Sequence, residues 1–130
     1  MRQDNLDIAE WIRYAKGNYD AARKMAEQFQ PVPLEIVCYH CQQSAEKILK
    51  AYILANGDEL IKTHDIYTLL ERCKSFNPDF EKLVKTGADL SDYVALSRYP
   101  AFDTITIEDM EQALVAAKSI LDFTIGQIRQ

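Results

Sequence analysis

No apolar run in this chain approaches the roughly 20 residues needed to cross a bilayer. The N-terminal residues do not resemble an export signal either, so a cytoplasmic location without membrane attachment is expected. Cysteine is scarce and odd in number: Cys38, Cys41 and Cys73. With no export signal, reduced and partly buried thiols fit that count better than a disulfide framework. No segment alternates apolar and polar residues as a half-buried strand does, and there are no repeats or low-complexity tracts. A Gly-rich phosphate loop, a Gly-x-Ser-x-Gly turn and paired carboxylates beside a histidine are all missing, which leaves nucleophilic hydrolysis unsupported. Positive charge is also short, with 15 Lys and Arg against 20 Asp and Glu and a net charge of -5. That balance argues against tight, sequence-independent nucleic-acid binding, which requires many cation–phosphate contacts; it excludes only the strongly cationic binders. A local basic patch that takes a nucleotide or an RNA end is not excluded.

What is present is helical periodicity. The 130 residues, 48% apolar, suffice for one domain with one hydrophobic core, spanning 1–130. The first helix is expected from about Leu6 to Gln28, capped by Asp4 or Asn5. Ile8, Trp11, Ile12, Ala15, Tyr19, Ala22, Ala26 and then Phe29 lie on its inner face. Pro31-Val-Pro33 stops it. A second helix spans about Leu34 to Ala55 and ends at Asn56-Gly57, a C-cap signal. Thr63 is placed to cap a shorter third helix from His64 to Ser75, with Ile66, Leu69, Leu70 and Cys73 inward. Asn77-Pro78 starts a fourth, cap followed by proline, carrying Phe80, Leu83, Val84, Leu90, Tyr93 and Val94 and ending before Pro100. Gly87 bends it or closes a helix–helix contact. Thr106-Ile-Glu-Asp109 is a capping-box pattern; the last helix follows, with Met110, Ala113, Leu114, Ala117, Ile120, Leu121, Ile125 and Ile128 inward. Short connections favour antiparallel neighbours, so the expected fold is all-α, an up-and-down antiparallel four- or five-helix bundle.

The second helix carries two angular stripes. At 100° per residue, Val37, Cys38, Cys41, Ala45, Ile48, Leu49 and Tyr52 form the packing face. His40, Gln43, Lys47 and Lys50 fall within a separate stripe less than a quarter-turn wide, with Glu46 at its edge. Lysine offers phosphate a point charge, and glutamine can read a base or ribose edge. Three roles remain open for this stripe: ligand contact, a surface for a second subunit (Ile36 and Tyr39 border it), or a solvated helix face with Glu46 and Lys50 as an i,i+4 pair. Cys38-x-x-Cys41 with His40 is not a metal cluster on a helix, because the imidazole points about 100° or more from both sulfurs. No metal or other cofactor is expected.

Several of these residues also carry a family likeness. Trp11, Ala15 and Ala21-Ala22, then Cys41-Gln-Gln-Ser-Ala-Glu-Lys-Ile-Leu-Lys-Ala51, then Thr63-His-Asp-Ile66 with Leu69, and Arg98-Tyr-Pro100 before an Ala- and Ile-rich last helix, resemble the HEPN family over nearly the whole chain. The resemblance implies a helical bundle, usually a homodimer, a role tied to nucleotides or RNA, and often a nucleotidyltransferase-type partner. Family members with ribonuclease activity carry Arg, four to six residues, then His. Here Arg98 is followed in that window by Asp103, Thr104 and Ile105, so the likeness is to the branch without catalytic residues.

The candidate ligand-binding residues are thus His40, Gln43, Lys47, Lys50, His64, Arg98 and Tyr99. His64, in the first turn of the third helix, either meets an anion there or fixes the preceding loop. Arg98 suits phosphate or carboxylate, and in the family its position lines the cleft. The expected function is a homodimeric binding or accessory module for a nucleotide or RNA. The alternatives are a metal-independent endoribonuclease toxin of a toxin–antitoxin pair, using Arg98 with His40 or His64, and a purely structural interaction module.

Overall fold

The structure is a computed structural model that describes residues 2–87, 90 and 105–129, with side chains from residue 7 onward. It is all-helical among the described residues: α1 (Arg2–Gln28), α2 (Leu34–Ala55), α3 (Ile66–Phe76), a 3-10 turn (Pro78–Phe80) leading into α4 (81–87), and α5 (Ile107–Ile128). Helix α1 begins four residues before the expected Leu6, and no proline or glycine interrupts that stretch. Phe29, expected inward, lies beyond the helix end and is 53% exposed. Tyr93 and Val94 lie outside the described residues.

Local capping explains most of the boundaries. Helix α2 ends at Asn56, and Gly57 follows at φ +80°, a left-handed conformation open to glycine at no steric cost. Thr63 is not the cap of α3. Instead the Asp65 carboxylate accepts from the Thr68 backbone N–H (3.3 Å) and hydroxyl (2.6 Å), while Thr63 Oγ1 accepts from the Asp65 N–H (3.1 Å). An ionised carboxylate is the stronger acceptor for the free N–H groups of a helix start. The helix therefore starts at Ile66, and His64 falls in the connecting loop rather than in a first helical turn. Asn77 Oδ1 accepts from the Asp79 N–H at 3.0 Å with Pro78 at the first turn position, as expected. Thr106 and Asp109 close a full capping box with bonds of 2.9 and 3.0 Å.

Helix α2 is the centre of the bundle and touches α1, α3 and α5. Along its border with α1, contacts pair His40 with Asn18, Ser44 with Ala15, Lys47 with Tyr14 and Lys50 with Trp11. Numbers rise on one helix as they fall on the other, so the two are antiparallel. Small side chains let them approach: Ala15 and Ala22 are fully buried, and buried Ser44 donates to the Ala15 carbonyl at 2.8 Å. Helix α3, by contrast, runs parallel to α2. Cys73 Sγ lies 3.7 Å from the Leu49 carbonyl, and Phe76 meets Tyr52, while His64 sits beside Gln42 and Glu46. Residues 56–64 return along α2 in non-helical form, reaching about 30 Å when extended over a helix stretch of about 20 Å. Asp58 holds that return to α3 through Arg72.

One apolar core joins these helices. Every residue assigned to the packing stripe of α2 is buried, as are Ile66, Leu69, Leu70 and Cys73 of α3. At one end Phe80 is wholly enclosed, with its ring centroid 4.6 Å from Tyr52 and 5.0 Å from Phe123, distances typical of favourable aromatic pairs. Gly87 closes the α4 contact, since a Cβ there would come 2.8 Å from Ile66 Cγ2 and press on Leu70. Gly87→Ala gains up to about 1 kcal/mol of helix propensity but overpacks the core, typically at about 1–3 kcal/mol. We expect net destabilisation of about 1 kcal/mol, read as a lower urea midpoint with unchanged slope.

Candidate functional site

A line of polar side chains runs inside the bundle along α2. Gln42, Glu46 and Lys50, each four residues after the last, are all buried (Glu46 3%, Lys50 6% exposed). Lys50 Nζ donates to Glu46 Oε2 at 2.9 Å, and His64 Nδ1 lies 3.0 Å from Oε1. A carboxylate only accepts, so the imidazole donates from Nδ1. Gln42 Nε2 donates to the His64 carbonyl at 2.9 Å and, more weakly, to Glu46 Oε1 at 3.4 Å, and its Oε1 accepts from Gln43 Nε2 at 2.8 Å. The Lys50 ammonium also lies 5.7 Å from the centre of the Trp11 ring. Buried ions persist when paired and hydrogen-bonded; here both Glu46 oxygens accept hydrogen bonds, and the ammonium has Glu46 and the Trp11 ring. The network's geometry fastens the end of the return loop, just ahead of α3, to α2.

The outer side of α2 forms a different environment. A surface cleft of about 380 Å³ is lined by Asp7, Glu10, Trp11, Tyr14 and Lys47. Lys47 is half-buried, 5.9 Å from the centre of the Tyr14 ring, and no carboxylate among the described residues lies within ion-pair distance of its amine. Burial pulls its pKa below the ordinary 10.5, against the opposing pull of Glu46 and with a smaller push from the Lys50 charge. Glu10 is bridged by Arg13 at 2.9 Å, an exposed pair.

His40, farther along the same side, is oriented by Asn18. The Asn18 amide donates from Nδ2 to the Tyr14 carbonyl at 2.9 Å, which turns its Oδ1 to His40 Nδ1, also at 2.9 Å. The imidazole therefore carries hydrogen on Nδ1. Burial, then the Lys47 charge, lowers its pKa from the ordinary 6.5. Cys38 and Cys41 sit in the core, where burial raises both thiols, Cys38 to about 12, as it does Cys73.

The expected outer stripe thus divides. Only Lys47 lines the cleft; Lys50 is a buried member of the Glu46 network rather than a solvent-facing cation. Gln43 is tied to Gln42, and His40 to α1. His64 contacts Glu46 from the loop with its ring 64% exposed. Arg98 and Tyr99 lie outside the described residues. Sequence periodicity left Gln42 out of the site and Glu46 at its margin. The i,i+4,i+8 spacing of Gln42, Glu46 and Lys50 was the available signal, because on one helix it stacks donor, carboxylate and cation in line. Trp11 and Tyr14 gave no such signal, since their role depends on α2 crossing α1.

A helical bundle with a polar seam and a lateral aromatic cleft is the class of protein that this structure defines. The chain belongs to the HEPN domain family, whose model matches residues 8–128 and whose members are often associated with nucleotides or RNA. It is similar to the archaeal HEPN homologue ST0689, with 26% identity, a TM-score of 0.72, and 93% of this chain and 97% of that one covered. It is also similar to TT1696 from Thermus thermophilus, with 28% identity, a TM-score of 0.75, and coverage of 92% and 96%. No curated protein matches it significantly. No helix among the described residues is long and apolar enough to cross a membrane.

The polar seam and the outer histidine, His40, can each be tested by stability. Glu46→Ala strands a buried ammonium and should lower unfolding free energy by about 3–5 kcal/mol, whereas Glu46→Leu combined with Lys50→Met should recover most of that loss, both read by chemical denaturation. For His40, the folded pKa lies below the unfolded one, so the unfolded chain takes up the proton first as pH falls. His40 stabilisation is complete above about 6.5 and declines below it. The parent should lose more stability between pH 7 and pH 5 than His40→Gln does; equal losses would remove His40 from that account.

Proposed function

We propose that this protein is a non-catalytic binding module that takes a nucleotide or an RNA end in the cleft between α1 and α2, and that it works as a homodimer beside a nucleotidyltransferase-type partner. The observation that supports this reading most is Lys47, a half-buried cation without a carboxylate partner among the described residues, set beside Trp11 and Tyr14. Aromatic faces stack bases whatever their identity, and one ammonium offers phosphate a charged donor. The net charge of -5 fits a short ligand better than a long nucleic acid.

The binding role without catalysis draws on the residues after Arg98, where the family's ribonuclease histidine has no counterpart at 103–105. The homodimer draws on Ile36 and Tyr39, 50% and 36% exposed on the outer side of α2 beyond the cleft, which give a second copy apolar area to cover. The nucleotidyltransferase-type partner rests on membership of the family.

Lys47→Ala should weaken nucleotide binding by roughly tenfold or more, the usual worth of a hydrogen bond to a charged group, and flatten its salt dependence, as measured by calorimetry at low and high salt. Lys50→Met combined with Glu46→Leu, which removes the buried pair together, should leave affinity within about twofold. Equal affinity for the parent and Lys47→Ala at both salt concentrations would refute the site.

A further inference from the structure

We infer that the cleft selects a ribonucleotide carrying a single phosphate, whether free or at an RNA end, over its triphosphate and its 2′-deoxy counterpart. The inference rests on the nucleotide-binding reading above and adds the ligand's charge and sugar. It follows from the charges around Lys47. Among the described residues, Lys47 is the only cation lining the cleft, while Asp7 and Glu10 supply two carboxylates. The nearest further lysine on α2, Lys50, is removed from use by its 2.9 Å bond to Glu46 and by burial. Arg13, next to the cleft, is bridged to Glu10 at 2.9 Å and lies 4.5 Å from the centre of the Tyr14 ring.

One phosphate brings up to two negative charges and can be met by one ammonium. A triphosphate brings three or four and would set the excess against Asp7, where like charges repel, with the Glu10 charge already offset by Arg13. The carboxylates have a use that a phosphate-only site would not need, because they accept hydrogen bonds and the ribose hydroxyls donate them. Both Glu10 oxygens receive Arg13 N–H groups, at 3.2 and 2.9 Å, which fixes the carboxylate while leaving each oxygen a second lone pair. The 2′-hydroxyl is the donor that distinguishes RNA from DNA at such a site.

The test is calorimetric titration of the full chain with AMP, dAMP, ATP and a short 5′-phosphorylated oligoribonucleotide. AMP is expected to bind roughly tenfold tighter than dAMP or ATP, one charged hydrogen bond's worth. If the oligoribonucleotide matches or exceeds AMP, the source is an RNA end; if AMP is clearly tighter, it is a free nucleotide. Either order supports the inference. Glu10→Gln, an exposed change, releases Arg13 beside the cleft and should narrow the AMP-to-ATP ratio while leaving the melting temperature unaltered. ATP binding as tightly as AMP, or dAMP equal to AMP, would overturn the charge and sugar selection and leave nucleotide binding standing. Binding of none of the four would overturn both.

Discussion

The arrangement of this protein depends on a carboxylate that the fold cannot leave alone. Glu46 lies at the middle of the central helix, enclosed, with an ammonium on one oxygen and an imidazole on the other. Ions enter a bundle interior only where neighbours offset the loss of water, so Lys50 and His64 are held where Glu46 requires them. Through His64 and Gln42, the same network fastens the end of the 56–64 segment to α2. Helix α3 then runs parallel to α2 rather than antiparallel, and its apolar face closes the core beside Gly87 and Phe80.

The same network also decides which cation remains outside. Lys47 and Lys50 are three residues apart and equal in sequence terms, yet one faces Glu46 and Trp11 while the other faces the cleft with Tyr14. Burial lowers the pKa of the Lys47 amine and makes its proton easier to lose than that of an exposed lysine. The cleft beside it is poor in positive charge. In the proposed nucleotide-binding role, that poverty sets the size of the anion, and the aromatic rings supply the contact area.

Much of the fold was legible in the chain. The period of 3.6 identified the core faces of α2, α3 and α5, and Thr106 with Asp109 and Asn77 with Pro78 marked helix starts. Position on one helix was less informative at the edges of its faces. Lys50 looked like an outer residue because angular position does not report what the neighbouring helix and loop bring over it. Asp65 displaced Thr63 as the cap through the greater strength of a charged acceptor, a competition that spacing alone does not rank. The cleft was the least legible element, because Trp11 and Tyr14 meet Lys47 only through the antiparallel crossing of α1 and α2, and Asn18 orients His40 by the same crossing.

The division of labour between the two lysines is most directly measured by site-resolved acetylation of the native protein, with mass spectrometry following the rate at each amine. Lys47 should react readily and, in the proposed role, be shielded by added nucleotide, while Lys50 should remain unmodified until the protein unfolds. Comparable native rates at Lys47 and Lys50 would contradict the account.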